Sequence, residues 1–118
     1  MEIKKVLVIG AGQMGSGIAL TLAKYGFDVH MQDIKEEFVD KGLKGIEKIY
    51  IKDVEKGRMT KEDAAHAFNR IIGVTELRSE TCNVDLVIEA ASENEEIKVN
   101  IFRKLDELCP PHTILASN

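Results

Sequence analysis

The chain has 118 residues, of which 44% are apolar and 31% charged, with no Trp and only two Pro; this is the composition of a globular chain of one domain at most, large enough to bury a core. A net charge of −4 with both signs interspersed argues against general affinity for nucleic acid or anionic membrane and leaves room only for local basic patches. Met1-Glu2-Ile3-Lys4-Lys5 leads straight into a strand without an apolar signal core, and the aliphatic run there is far shorter than the ~20 residues needed to span a bilayer, so a cytoplasmic location is expected.

Val6 to Ile9, VLVI, reads as a buried strand that runs into Gly10-x-Gly12-x-x-Gly15 and then into a helical pattern through Ile18, Ala19, Leu22 and Ala23. Each glycine has a mechanical task. Gly10 permits the sharp turn out of the strand, Gly12 has no Cβ to hold a pyrophosphate off the backbone, and Gly15 lets the helix lie close to the sheet. The first N–H groups of that helix and the positive end of its dipole then form an anion site without a basic side chain.

Asp28 to Gln32 reads as a second strand, followed by Asp33, which stands 33 − 15 = 18 positions after the last glycine. That is close to the ~20 expected of a carboxylate that grips an adenosine ribose, so the predicted ligand is NAD and not NADP. Lys35 would offset part of the repulsion of a 2′-phosphate. An incidental glycine turn beside a solvated Asp33 would require none of this register.

A long helix is predicted from about Lys35 to Glu55. Val39, Leu43, Ile46, Tyr50 and Val54 form one stripe, and Lys41, Lys44, Lys48, Lys52 and Lys56 form a row nearly opposite. Such a row is either a phosphate-binding surface or simply the wet side of a helix, and spacing alone does not choose between them. Gly42 and Gly45 weaken the helix, each by roughly 1 kcal/mol relative to Ala, so packing must hold it. Gly57 fits a left-handed C-terminal cap, and Thr60 an N-cap with an acidic residue three positions on, opening a short helix through Ala64, Ala67 and Phe68. The two helices make a hairpin inserted after the second strand.

Ile71 to Val74 is a predicted third strand, Val84 to Ala90 a fourth, Glu95 to Leu108 a helix ended by Cys109-Pro110-Pro111, and Thr113 to Ala116 a fifth strand. The fold expected is a doubly wound α/β parallel sheet of the Rossmann type, ordered 3-2-1-4-5. Ala91 to Asn94 then lies at the carboxyl edge, where ligands of such sheets sit. Glu93 and Lys98 are therefore candidates for the nicotinamide side, while helix-dipole pairing alone would also account for Glu93, Glu95 and Glu96. Cys82 and Cys109 read as free thiols, and His30, His66 and His112 belong to no readable metal set.

VIGAGQMGSGIA, Asp33, DLVIEAASEN and the closing TILASN together resemble the amino-terminal domain of the 3-hydroxyacyl-CoA dehydrogenases, most closely the short bacterial 3-hydroxybutyryl-CoA dehydrogenases. The resemblance covers essentially the whole chain. It implies NAD-dependent interconversion of an L-3-hydroxyacyl-CoA and its 3-ketoacyl-CoA. It also implies that Gly10, Gly12, Gln13, Met14 and Gly15 meet the pyrophosphate, Asp33 the ribose, and Glu93 and Lys98 the nicotinamide side. Lys56, with Lys52 beside it in the row, matches the family's contact with coenzyme A phosphates, whereas Ile49 replaces a serine some relatives place near that ligand.

In the family a Thr-Ser-Ser run, a catalytic histidine with its glutamate partner and a helical domain that mediates dimerisation follow the point reached at Asn118. The 118 residues by themselves are thus expected to form one NAD-binding domain that holds cofactor and carries no catalytic residue, with a homo-oligomer for the longer protein. The alternatives are a related dehydrogenase of another hydroxyacyl-CoA or a sugar acid, and a stand-alone NAD-binding or redox-sensing module.

Overall fold

The computed structural model describes residues 2–91 and 94–117. Its elements follow in the order β1 (Lys5–Ile9), α1 (Gln13–Lys24), β2 (Asp28–Gln32), α2 (Glu36–Glu55), α3 (Lys61–Asn69), β3 (Ile71–Val74), β4 (Leu86–Glu89), α4 (Glu95–Leu108) and β5 (Ile114–Ser117). The five strands form one parallel sheet in the order β3-β2-β1-β4-β5, the expected doubly wound arrangement.

The unbroken apolar run of β1 is explained by its central place, where both faces are covered. Val6 and Val8 point into a core shared with Ala19, Ala23, Met31, Ile46, Tyr50 and Ala67, under α1 and the α2–α3 hairpin. Leu7 and Ile9 point the other way, into a core with Val84, Val87 and Leu105 beneath α4. Leu7 is wholly buried, a burial that contributes about 2 kcal/mol relative to an exposed side chain. Cys82 and Cys109 are both free and belong to this second core.

Three strands differ in extent from the sequence expectation: β1 begins one residue early, at Lys5, and β4 and β5 are also shifted. β4 is shorter than Val84 to Ala90: the Val84 amide turns back to the Cys82 carbonyl at 2.9 Å, and Asp85, whose carboxylate accepts hydrogen bonds from the Lys4 and Lys5 amides at 2.8 and 3.0 Å, leads into the strand. β5 begins one residue late because the Thr113 amide closes a turn onto the Pro110 carbonyl at 3.1 Å, while its hydroxyl donates to the Val84 carbonyl at 2.6 Å. That offset pairs Leu86 with Ile114 and Glu89 with Ser117.

The hairpin closes as its punctuation requires. Gly57 takes φ +73° after α2, and Thr60 Oγ1 accepts from the Asp63 amide at 3.0 Å to cap α3. Tyr50 fastens α2 to α1 by donating its hydroxyl to the Leu20 carbonyl at 2.6 Å, and burial pushes the phenol up to about 12. Arg70 donates to the Ala23 carbonyl at 2.7 Å, a cation at the negative end of α1. Gly42, read from sequence only as a weak point, has a packing reason: a Cβ there would stand 2.7 Å from the Ala11 carbonyl oxygen and 3.0 Å from Met31 Cε. Gly45 has open space around it and carries the helix cost alone.

Candidate functional site

The site is built where β1 ends, at the point from which the chain order runs outward in both directions, to β2 on one side and β4 on the other. Gly10 turns there with φ +110°, donates its amide to the Gln32 carbonyl at 2.6 Å, and presses against Ala90 and Ala91, whose backbone atoms would be 3.0 Å from any Cβ it carried. Gly15 lies so close that a Cβ would overlap the Gly10 carbonyl oxygen. Gly12 is different: a Cβ there would meet no atom within 4 Å. Its lack of a side chain leaves clear space directly over the helix mouth.

Gly12 is also the N-cap of α1, which has no side-chain cap and no acidic residue in its first turn. The dipole at this end is thus uncompensated by any side chain of its own helix, the condition for anion binding. Gln13 and Met14, exposed, flank the opening.

Asp33, partly exposed at the tip of β2, does more than sequence suggests. Its Oδ2 accepts from the Ala11 amide inside the glycine turn at 2.9 Å, and its Oδ1 accepts from the Ile34 amide at 2.7 Å. The carboxylate is therefore fixed against the turn, with further lone pairs on both oxygens for a ligand hydroxyl. The Lys35 ammonium lies over the Phe38 ring, 5.6 Å from its centroid. Below Asp33 a cleft of about 630 Å³ runs between the glycine turn and α4, lined among others by Ile34, Leu77, Ile97, Ile101 and Lys104. Ile34 is 77% exposed, an apolar side chain at the mouth of that cleft. These wall residues come from three separate segments and were not foreseen; the i, i+4 pair Ile97 and Ile101 was the available signal.

On the β5 side Lys98, in the first turn of α4, has its ammonium 3.7 Å from Oε1 of Glu89. Glu89 is fully buried; its Oε2 accepts from the Ala91 amide at 2.7 Å, and its Oε1 from the Ser117 hydroxyl at 3.1 Å. Sequence reading passed over Glu89 as one residue within the predicted strand Val84 to Ala90. Glu93, the other residue expected on this side, lies outside the described residues. Asn94 caps α4, accepting from the Glu96 and Ile97 amides.

The lysine row stands on the outer face of α2, with Lys41, Lys44, Lys48, Lys52 and Lys56 all exposed, and Ile49 is exposed among them. A groove of about 440 Å³ separates α2 from α3, lined by Tyr50, Ile51, Val54, Ala64 and Phe68 with Lys61 at its rim. His112 pairs with Asp85 at 3.3 Å, at the amino edge of the sheet. His30 Nδ1 lies 3.2 Å from the Thr81 carbonyl oxygen, and His66 is exposed on α3. None of the three lines the cleft below Asp33.

A parallel doubly wound sheet, a glycine turn over an uncapped helix start and an acid at the tip of the second strand define a dinucleotide-binding domain of the Rossmann class. More narrowly, residues 5–118 match the family model for the 3-hydroxyacyl-CoA dehydrogenase, NAD binding domain, and the chain belongs to that family. It is 48% identical over its full length to a probable 3-hydroxybutyryl-CoA dehydrogenase of Bacillus subtilis and 39% identical to a 3-hydroxyadipyl-CoA dehydrogenase of Escherichia coli. It covers 41% and 25% of those proteins respectively. Among solved structures, the 3-hydroxybutyryl-CoA dehydrogenase of Escherichia coli superposes with a TM-score of 0.96 at 39% identity, over all of this chain and 25% of that one. The (S)-3-hydroxybutyryl-CoA dehydrogenase of Ralstonia eutropha gives 0.93 at 38%, over 99% of this chain and 41% of that one. No helix among the described residues is long and apolar enough to cross a membrane.

Proposed function

We propose that Gly10, Gly12, Gln13, Met14 and Gly15 hold the pyrophosphate of NAD, Asp33 its adenosine ribose, and Glu93 and Lys98 its nicotinamide side, and that residues 1–118 act as the cofactor domain of an enzyme interconverting L-3-hydroxyacyl-CoA, 3-hydroxybutyryl-CoA foremost, and 3-ketoacyl-CoA. The observation that carries this reading is the open space over Gly12, a cradle that any side chain would fill, beside a carboxylate held against the same turn. Bound NAD supplies the hydride acceptor. This chain's residues orient it: the turn takes the charged diphosphate, Asp33 takes ribose hydroxyls and turns away a 2′-phosphate, and the cleft under Ile34 takes the apolar faces of the base.

The substrate side rests on Lys52 and Lys56, exposed and unhindered at the end of α2, and on the names of the relatives. A 3-hydroxyacyl group bound to coenzyme A brings phosphates that such lysines attract. The base that takes the hydroxyl proton belongs to residues other than these 118 in this reading. The same reading places the protein in the cytoplasm, as the bacterial relatives suggest, and as a homo-oligomer in its longer form.

Calorimetric titration of the chain tests the cofactor assignment. NAD is expected to bind and NADP to bind more weakly; a preference for NADP would overturn the role given to Asp33. Coenzyme A tests the lysine row: its affinity should fall steeply with added salt and with Lys56→Ala, and a salt-independent affinity would refute the assignment.

A further inference from the structure

Of the buried polar residues Gln32, Asp53 and Glu89, Glu89 alone has no exposure at all. A carboxylate sealed from water is costly unless hydrogen bonds and a counter-charge compensate it. Glu89 obtains both from three segments: the Ala91 amide after β4, the Lys98 ammonium in α4, and the Ser117 hydroxyl at the end of β5. Ala91 also forms the wall against which Gly10 turns. The group therefore braces the carboxyl edge of the sheet on the side opposite Asp33, and a dinucleotide anchored by its adenosine ribose at Asp33 and its diphosphate at Gly12 extends its other half toward that side.

We propose that Glu89 is a positioning residue for the nicotinamide end, holding the Lys98 ammonium in place and cancelling its charge so that the cationic ring of oxidised NAD is not repelled. This rests on the cofactor reading above. Among the described residues, the other charged groups that line the same face, Glu95, Arg103 and Asp106, are exposed and screened by solvent, whereas the Glu89–Lys98 pair lies within or against the protein. Neutralising either residue changes the charge beside the ring by one unit, in opposite senses for Glu89 and Lys98. The two removals must then shift the preference between oxidised and reduced cofactor in opposite directions.

The test titrates the 118-residue chain and two variants, Glu89→Gln and Lys98→Met, with ADP-ribose, NAD⁺ and NADH. ADP-ribose carries the diphosphate and adenosine but no nicotinamide, so it reports the cofactor site alone. At an effective dielectric of about 20, one unit charge about 10 Å from the ring changes the relative affinity for the cationic form by about tenfold. The ratio Kd(NAD⁺)/Kd(NADH) should rise by about that factor in Glu89→Gln and fall in Lys98→Met, with ADP-ribose binding nearly unchanged. Should ADP-ribose bind while the ratio stays put in both variants, or should all three ligands weaken alike, the role of Glu89 is refuted and the cofactor site stands. Failure of the unmodified chain to bind ADP-ribose would remove both readings. If circular dichroism shows that Glu89→Gln does not fold, the Lys98→Met ratio decides alone.

Discussion

Gly12 and Gly15 sit three residues apart in one turn, yet the structure assigns them different duties, and alanine at each separates ligand from fold. Gly12 has φ −72° and ψ −166°, a conformation alanine adopts without strain, and its Cβ would enter empty space. The stability gained by stiffening the unfolded chain and that lost by a poorer N-cap are each below about 1 kcal/mol and of opposite sign. The melting temperature of Gly12→Ala should therefore stay within about 3 °C of the parent. Its methyl group, however, occupies the approach to the α1 amides. A diphosphate oxygen held off by about 1 Å passes beyond hydrogen-bonding range. Losing two charge-assisted bonds at about 1.5 kcal/mol each weakens NAD about a hundredfold. Gly15→Ala behaves in the opposite order: its Cβ would collide with the Gly10 carbonyl oxygen, and relieving the overlap costs roughly 1–3 kcal/mol, a drop of about 5–15 °C in Tm. Differential scanning calorimetry and NAD titration on the same samples read both effects. A Gly12→Ala chain that binds NAD within about threefold of the parent would show that the diphosphate does not lie over this turn.

Asp33→Asn keeps the side chain's size but weakens its grip on the Ala11 amide and on ribose hydroxyls; NAD affinity should fall by about tenfold or more and the discrimination against NADP should narrow, which parallel titrations of the two nucleotides measure. Tyr50→Phe removes the hydroxyl bonded to the Leu20 carbonyl at a cost of about 1 kcal/mol, so thermal melts should show a drop of a few degrees while NAD affinity is unchanged. Asp85 has its carboxyl held below the usual carboxylate range, first by the Lys4 and Lys5 amides and then by His112. Its contribution is therefore complete above the ordinary carboxylate pKa near 4 and is lost as pH falls through the lowered folded value; the Tm gap between the parent and Asp85→Asn should be full at pH 6 and shrink below about pH 4.

The sheet was legible because its strands are marked by composition: VLVI, LVI and IIGV are short apolar runs, although Ile72 on the edge strand β3 stays 54% exposed, and Gly, Thr-x-x-Asp and Pro-Pro punctuate what joins them. The glycine turn and Asp33 were legible because a strand, a turn and a helix lie consecutively in the chain. Glu89 was not, since an acid at the end of an apolar run looks the same whether solvent or Ser117 stands beside it, and Ser117 comes 28 residues later. Ile34, Leu77, Ile97 and Ile101 likewise become one wall only through the sheet order. Gly42 misled in a particular way: helix propensity counts its cost and cannot count the Ala11 carbonyl that approaches it.

That approach links the two halves of the proposed chemistry. The Ala11 amide is held by Asp33 and its carbonyl oxygen lies against Gly42, so the turn proposed to face the diphosphate is in contact with the acid proposed for the ribose on one side and with α2 on the other. α2 in turn carries Lys52 and ends at Lys56 and is bolted to α1 through Tyr50. A coenzyme A held on the lysines and a dinucleotide held at the turn would therefore be referenced to one set of directly packed elements. Such an arrangement fixes the distance between two bound ligands more tightly than two separately mounted sites, which is what transfer between reacting carbons requires. A side chain at Gly42 large enough to lift α2 from Ala11 would disturb both sites at once, although it touches neither ligand.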